Sequence, residues 1–292
     1  MTSKILGCTK EETLKFHPAN FMDYIMSAEE FVYLAQLFEA FWCYDYQAAA
    51  KGRSGKHTLL KSGLHSDAFF VSKILLKSPN IRLMMAWQML NAFDKVARLR
   101  PNKLCGIPDG ATLLARDIIK LLYLPESAEV KIAKVDGKIT LLSGVEPGDK
   151  VLMIEDFCTR GTGFIEAVTE IHAKQPAAKI LPLELVMLNR GSLEEIYVED
   201  LGAFAVVPIV RYPIQEWEAA VCPLCRDYGS VAIKPKESEA SWRDITTSQL
   251  PAGKAVGGSF NRERVEAILD EKPMAVGNET RLEDGMLKGI GF

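Results

Sequence analysis

Two adjacent carboxylates, Glu155 and Asp156, follow the apolar run Val151-Leu152-Met153-Ile154 and precede Phe157-Cys158-Thr159-Arg160-Gly161-Thr162-Gly163. Acids so placed can accept hydrogen bonds from sugar hydroxyls. A small-residue loop that opens a helix turns backbone N–H groups and the positive end of the helix dipole toward a phosphate dianion, and the Thr159 and Thr162 hydroxyls add donors. A single strand, loop and helix of this kind is usually a plain turn whose threonines cap the helix. Here both acids, the loop and the helix coincide, which favours a phosphosugar site. A nucleoside-triphosphate P-loop is excluded, because no Gly-Lys-Ser/Thr follows four variable residues after a glycine.

Such a site needs a strand ending near the acids and a helix starting behind the loop. Glu146-Pro147-Gly148-Asp149 reads as a turn, Val151 to Ile154 as a buried strand, Glu155 to Gly163 as a loop, and Ile165, Val168 and Ile171 as the apolar face of a helix. Upstream, Leu104 to Ile107 predicts a strand and Thr112 to Leu122 a helix; Val130 to Val135 and Ile139 to Leu142 are extended and joined around Asp136-Gly137. Leu183 to Leu188 and Ala203 to Val210 supply two more buried strands. Strands alternating with helices predict an α/β fold with a mostly parallel central sheet flanked by helices.

The flanks differ in character. Ser27 and Glu30 have the form of a capping box, and Phe31, Leu34, Phe38 and Phe41 recur at helical spacing, which predicts a long helix ending near Gly52. Residues 1–56 therefore read as a helical N-terminal element. Leu60 to Ser66 reads as a loop entering a strand at Phe69-Phe70-Val71, and Ala86, Leu90, Phe93 and Ala97 mark a helix. The core spans 57–212. Residues 213–292 form an extension, hood and polar tail, with one short helix expected from Asn261 to Glu271.

Composition sets outer bounds. The 292 residues are 48% hydrophobic and 25% charged, the ordinary balance of a folded globular chain. A net charge of −3 provides no global field for a nucleic-acid backbone, so no nucleic-acid partner is expected. No apolar stretch approaches the ~20 residues that cross a bilayer, so no membrane partner is expected and the location is read as cytoplasmic. The six cysteines are too sparse for a disulfide scaffold.

The 151–163 segment resembles the phosphoribosyl diphosphate (PRPP) motif of type I phosphoribosyltransferases. Three further stretches resemble one branch of that family, the orotate phosphoribosyltransferases: Leu60-Lys61-Ser62-Gly63 with Phe69-Phe70, the pyrophosphate loop Cys105-Gly106-Ile107-Pro108-Asp109-Gly110-Ala111, and Leu188-Asn189-Arg190. The four occur in the family's order. The resemblance implies that Glu155 and Asp156 hold the ribose hydroxyls, Asp156 acting in catalysis, and that Thr159, Arg160, Gly161, Thr162 and Gly163 form the phosphate loop. It implies that Lys61, Asp109 and Gly110 meet a diphosphate carried by magnesium, and that Phe69, Phe70 and Arg190 meet the base. Magnesium suits such a site because it prefers oxygen ligands and is commonly held through substrate phosphates.

The resemblance further implies a homodimer and a catalytic loop reaching the neighbouring subunit, on which Lys131 and Lys134 fall at basic positions. Val130 stands where the pattern has arginine, Asp136 where it has histidine, and Arg160 where a small residue is usual. The implied reaction is transfer of the 5-phosphoribosyl group from PRPP to orotate with release of magnesium diphosphate. The alternatives are a type I phosphoribosyltransferase for another base and a non-catalytic regulator that binds PRPP or a nucleotide. Outside these motifs, Cys222-Pro-Leu-Cys225 has the spacing of two zinc ligands, and Cys8, Cys43, His17 or His57 could supply others; a tight turn with packed thiols is the alternative. His65 could face phosphate or take a packing role, and Cys158 reads as a small filler.

Overall fold

The computed structural model describes residues 3–92, 96–251 and 275–276. They fall into two compact units, neither of them one stretch of chain: the first gathers 3–13, 29–75 and 213–251, the second 14–28, 76–212 and 275–276. This grouping differs from a consecutive division at 57 and 213, because contacts and not chain order define each unit. The helix expected from Asn261 to Glu271 lies outside the described residues.

The second unit is built on seven strands: β1 (Lys103–Gly106), β2 (Glu129–Val135), β3 (Lys138–Ser143), β4 (Lys150–Cys158), β5 (Lys179–Asn189), β6 (Glu195–Val198) and β7 (Gly202–Arg211). Their order across the sheet is β6-β7-β5-β4-β1-β2-β3, and a two-residue strand, Ala275–Val276, pairs with the end of β7. Every pairing from β7 through β5, β4 and β1 to β2 is parallel, and β6 and β3 close the edges antiparallel. The mostly parallel α/β fold expected from the alternating pattern is the one observed.

Three helices cover the sheet: α1 (Pro79–Ala92), α2 (Thr112–Leu121) and α3 (Thr162–Lys174). α1 packs on α2, β5 and β7, whereas α3 packs on β3, β5 and β6. The period-2 alternation of strand side chains explains how one sheet serves two layers. Cys105, Val151 and Met153 join Phe164, Val168 and Ile171 of α3 in one core, and the intervening Leu104, Leu152 and Ile154 are buried as well. Strands buried on both faces read as continuous apolar runs, as 151–154 does.

The connections place the site. From β1 the chain leaves through α2 to β2 on one side; from β4 it leaves through α3 to β5 on the other. β1 and β4 are neighbours where the strand order reverses, and a crevice opens beyond the carboxyl ends of such a pair. β4 is longer than the apolar run alone implies. Its pairing with β5 continues through Glu155, Phe157 and Cys158, so the two acids lie inside the strand and not in a loop.

The first unit contains a four-stranded sheet ordered Glu216–Trp217, His65–Ser66, Lys56–Leu59 and Val231–Ile233. Its core joins Trp42, Tyr44, Leu224 and Ile245 with Trp217 and Trp242 packed against them. The long N-terminal helix is corrected here. The helix spans Ala28–Leu37 only, Glu39 takes a positive φ of 57°, and Phe41–Cys43 forms a strand pairing antiparallel with Ala68–Phe70. A left-handed residue cannot continue a right-handed helix, and the aromatic run beyond it suits a strand.

Candidate active site

The end of β1 and the end of β4 are locked together. Gly106 is the register partner of Ile154, and the Ile107 N–H donates to the Ile154 carbonyl at 2.8 Å. Ile107-Pro108-Asp109-Gly110 then turns over the carboxyl edge of the sheet, with a cis peptide bond between Pro108 and Asp109. Asp109 is exposed and Asp156 is buried. Gly110 lies directly against the Asp156 side chain: a Cβ at this position would sit 1.8 Å from Asp156 Oδ2. Only glycine lets the backbone approach that carboxylate. The structure thus brings Asp109, Gly110 and Asp156, drawn from two separate motifs, to one place.

The second loop runs from Thr159 to Gly163. Gly161 caps α3 in the left-handed conformation, φ 68°, and a side chain there would strike Ile196. Thr162 begins a helix of 13 residues, long enough for its terminal N–H groups to present an appreciable positive end. Arg160 and Thr162 are exposed at this end. Arg190, expected to face the base, is instead engaged in the loop. Its Nε and Nη2 donate to Thr159 Oγ1 at 3.0 and 2.9 Å, and its guanidinium lies 4.8 Å from the Phe157 ring centroid. The backbone dictates this, since the Arg190 N–H donates to the Cys158 carbonyl at 2.8 Å and continues the β4–β5 pairing to the loop itself.

Glu155 and Asp156 diverge, as adjacent residues of a strand must. Glu155 meets Glu184 of β5 and the Cys158 thiol, their ligand atoms all lying within 4.8 Å of one another. Burial is the main cause that raises both glutamates above the usual carboxylate range; the neighbouring Asp156 charge raises Glu155 further, and the Glu155 charge raises Glu184. Burial also pushes the Cys158 thiol up, so it is an inert, packed thiol. Glu184 was not legible as a site neighbour in the sequence; its one signal is a carboxylate in the middle of the apolar run Leu183 to Leu188.

The remaining candidates are distributed more widely. Lys131 and Lys134 are exposed on β2, which forms a hairpin with β3. Because β2 runs parallel to β1, its Lys134 end lies at the same carboxyl edge as the two loops. Val130 is buried in the core beside Ile132 and Ile139. Lys61, Phe69 and Phe70 belong to the other unit. Lys61 is exposed at a hairpin tip closed by Leu60 N–H donating to the Leu64 carbonyl at 2.8 Å. Phe69 is half-buried against Trp242, 6.0 Å between centroids, with the Lys236 ammonium 5.4 Å from its ring. Phe70 corrects the expectation of a base-stacking ring. It is 1% exposed and packs on Phe31 and Phe41, as expected of the inward-facing residue of its strand.

Comparison with known proteins points the same way. No protein-family profile matches the chain. The orotate phosphoribosyltransferase of Acidithiobacillus ferrooxidans is 28% identical over 181 residues, covering 61% of this chain and 87% of that protein. This chain is similar to the orotate phosphoribosyltransferases. The relative from Helicobacter acinonychis, bearing the same name, is 27% identical over 196 residues, 64% of this chain and 93% of its own. Among solved structures, the orotate phosphoribosyltransferase of Aeropyrum pernix matches with a TM-score of 0.44 and 17% identity, covering 62% of this chain and 97% of that one. Among the described residues, no helix is long and apolar enough to cross a membrane.

Proposed function

We propose that the protein is an orotate phosphoribosyltransferase-like enzyme, a glycosyltransferase that moves the 5-phosphoribosyl group from PRPP to orotate and releases diphosphate. The observation that carries this reading is the contact of Gly110 with the Asp156 carboxylate at the strand-order reversal, with the α3 N-terminus on the adjoining loop. It supports a pentose held by acids between two loops that can each take a phosphate group. Thr159, Arg160, Gly161, Thr162 and Gly163 receive the 5-phosphate through backbone N–H groups, hydroxyls and the Arg160 cation. Asp156 accepts from the ribose hydroxyls, and Glu155 supports it from within the sheet. Asp109 and Gly110 meet the diphosphate.

The base nitrogen displaces diphosphate at C1 through an oxocarbenium-like transition state, so catalysis consists mainly of positioning and neutralising the leaving group. Lys131 and Lys134 supply that charge, from a neighbouring subunit of a homodimer. The oxygen donors of Asp109 and Asp156 suit magnesium, which when bound with the diphosphate adds further charge neutralisation. Arg190, engaged with Thr159, orients the phosphate loop. We place the activity in the cytoplasm.

A second reading, a non-catalytic PRPP-binding protein, is favoured by Val130 and Asp136, which remove two cationic positions of the family pattern. One assay separates them. With magnesium and PRPP, the protein is expected to consume orotate, seen as loss of its ultraviolet absorbance, and Asp156→Asn to lower kcat/KM by at least ~100-fold. PRPP binding without loss of orotate would establish the second reading.

A further inference from the structure

Within the first unit, four side chains from distant parts of the chain converge on one point. His57 and His65 stand on the two strands of the hairpin that carries Lys61, and Cys222 and Cys225 flank the start of the helix Pro223–Tyr228. His57 Nε2 lies 3.0 Å from His65 Nδ1 and 3.6 Å from each of Cys222 Sγ and Cys225 Sγ; His65 Nδ1 lies 3.4 Å from Cys225 Sγ. All four atoms fall within 4.8 Å of one another.

Hydrogen bonding does not account for this cluster. A ring nitrogen carries one proton or one lone pair in the ring plane, so His57 Nε2 cannot satisfy three partners at once. A central metal ion does. With Zn–N near 2.0–2.1 Å and Zn–S near 2.3 Å, a tetrahedral ion places its nitrogen ligands about 3.3 Å apart and a nitrogen and a sulfur about 3.5 Å apart. The observed separations match this pattern. The other His57 nitrogen, Nδ1, lies 2.9 Å from Ser230 Oγ, and that hydroxyl donates to the Gly55 carbonyl at 3.1 Å. A hydrogen bond from Nδ1–H to the serine fixes the tautomer with the Nε2 lone pair aimed at the cluster, the arrangement that metal-bound histidines show.

We propose that His57, His65, Cys222 and Cys225 form a closed, structural zinc site. Two nitrogen and two sulfur donors at these separations suit zinc, and four protein ligands leave no open position for catalysis. Two thiolates balance the divalent charge, so the filled site is neutral where His57 is fully buried and Cys222 is 1% exposed. Of the four ligands, the spacing of Cys222 and Cys225 pointed to metal; Cys8, Cys43 and His17 take no part, and His65 is a ligand and not a phosphate contact. The ion joins the base of the hairpin to a segment 165 residues away in sequence. Glu216–Trp217 and Val231–Ile233 already flank that hairpin as strands. The proposal stands apart from the proposed reaction.

The experiment is metal analysis of the full chain expressed with zinc and purified without chelator. About one zinc per chain is expected. Cobalt replacing zinc should give visible bands of tetrahedral geometry and a near-ultraviolet thiolate charge-transfer band. Cys225→Ser should lose the zinc or weaken its retention against a chelator at least ~10-fold, while Cys8→Ser keeps it. Zinc below a tenth of an equivalent in the wild type, a cobalt spectrum without thiolate bands, or full retention in Cys225→Ser would each overturn the proposal. None of these readouts needs substrate, so failure of the metal site and failure of the orotate assay are distinct results.

Discussion

Glu184 stands opposite Met153 in the β4–β5 register, fully buried, and shares its space with Glu155. Two carboxyl groups this close and this dry cannot both ionise, so the pair holds a proton at pH values where free glutamates have lost theirs. The folded state therefore binds more protons than the unfolded chain, and the stability gained is complete below the usual glutamate range and lost as pH rises through the raised values of the pair. The chain should unfold more easily as pH rises above that range. Glu184→Gln keeps the shape and removes one ionisation. It is expected to flatten the thermal midpoint between mildly acidic and mildly alkaline pH, and to stabilise the alkaline end by on the order of 2 kcal/mol. Thermal unfolding monitored by circular dichroism across that range reads the effect, and parallel profiles for the two proteins would contradict it. Residue types alone revealed the acids and glycines that could hold a phosphosugar. They concealed what each acid faces, because the difference between Asp156 against Gly110 and Glu155 against Glu184 comes from the pleat and register of β4.

At the scale of elements, the β2–β3 hairpin accounts for two departures from the family pattern. Asp136 and Gly137 have φ of 49° and 83°, the consecutive left-handed pair of a type I′ turn, for which Asp-Gly is a favoured sequence. Val130 is one of the core side chains under the sheet, where an arginine would have to bury its charge. Lys131 and Lys134 remain exposed on the hairpin, at positions that the family resemblance implies are catalytic. Lys134→Ala is expected to lower kcat by ~100-fold or more with little change in thermal midpoint, because the side chain is exposed and, on the proposed reading, acts on developing charge. Steady-state kinetics with PRPP and orotate test this; an unchanged kcat would remove the hairpin from the mechanism. The strands of the sheet were legible because burial on both faces leaves continuous apolar runs between turns. The boundary of β4 was not, since Glu155 and Asp156 look like loop residues until β5 is beside them. The end of the N-terminal helix is hidden for the opposite reason: the aromatic spacing runs on through Phe38 and Phe41, past the left-handed Glu39 that follows it.

Over the whole molecule, legibility follows the separation of contacts along the chain. The sheet unit draws nearly all of its described residues from one stretch, 76–212, so its strands, helices and loops follow one another in the order in which they pack. The other unit is assembled from 3–13, 29–75 and 213–251, and its core joins Trp42 and Tyr44 to Leu224 and Ile245. Local periodicity carries no record of such pairings, which is why Cys222 and Cys225 could be noticed in the sequence while His65 could not be assigned to them. The central claim belongs to the sheet unit: the loops after β1 and β4 form one phosphosugar site. Calorimetric titration of PRPP with magnesium into the full chain tests it most directly. A saturable heat with one site per chain, abolished in Gly110→Val because the new side chain would occupy the position of the Asp156 carboxylate, is the expected result. Absence of saturable binding to the wild type, or equal binding to Gly110→Val, would contradict the account.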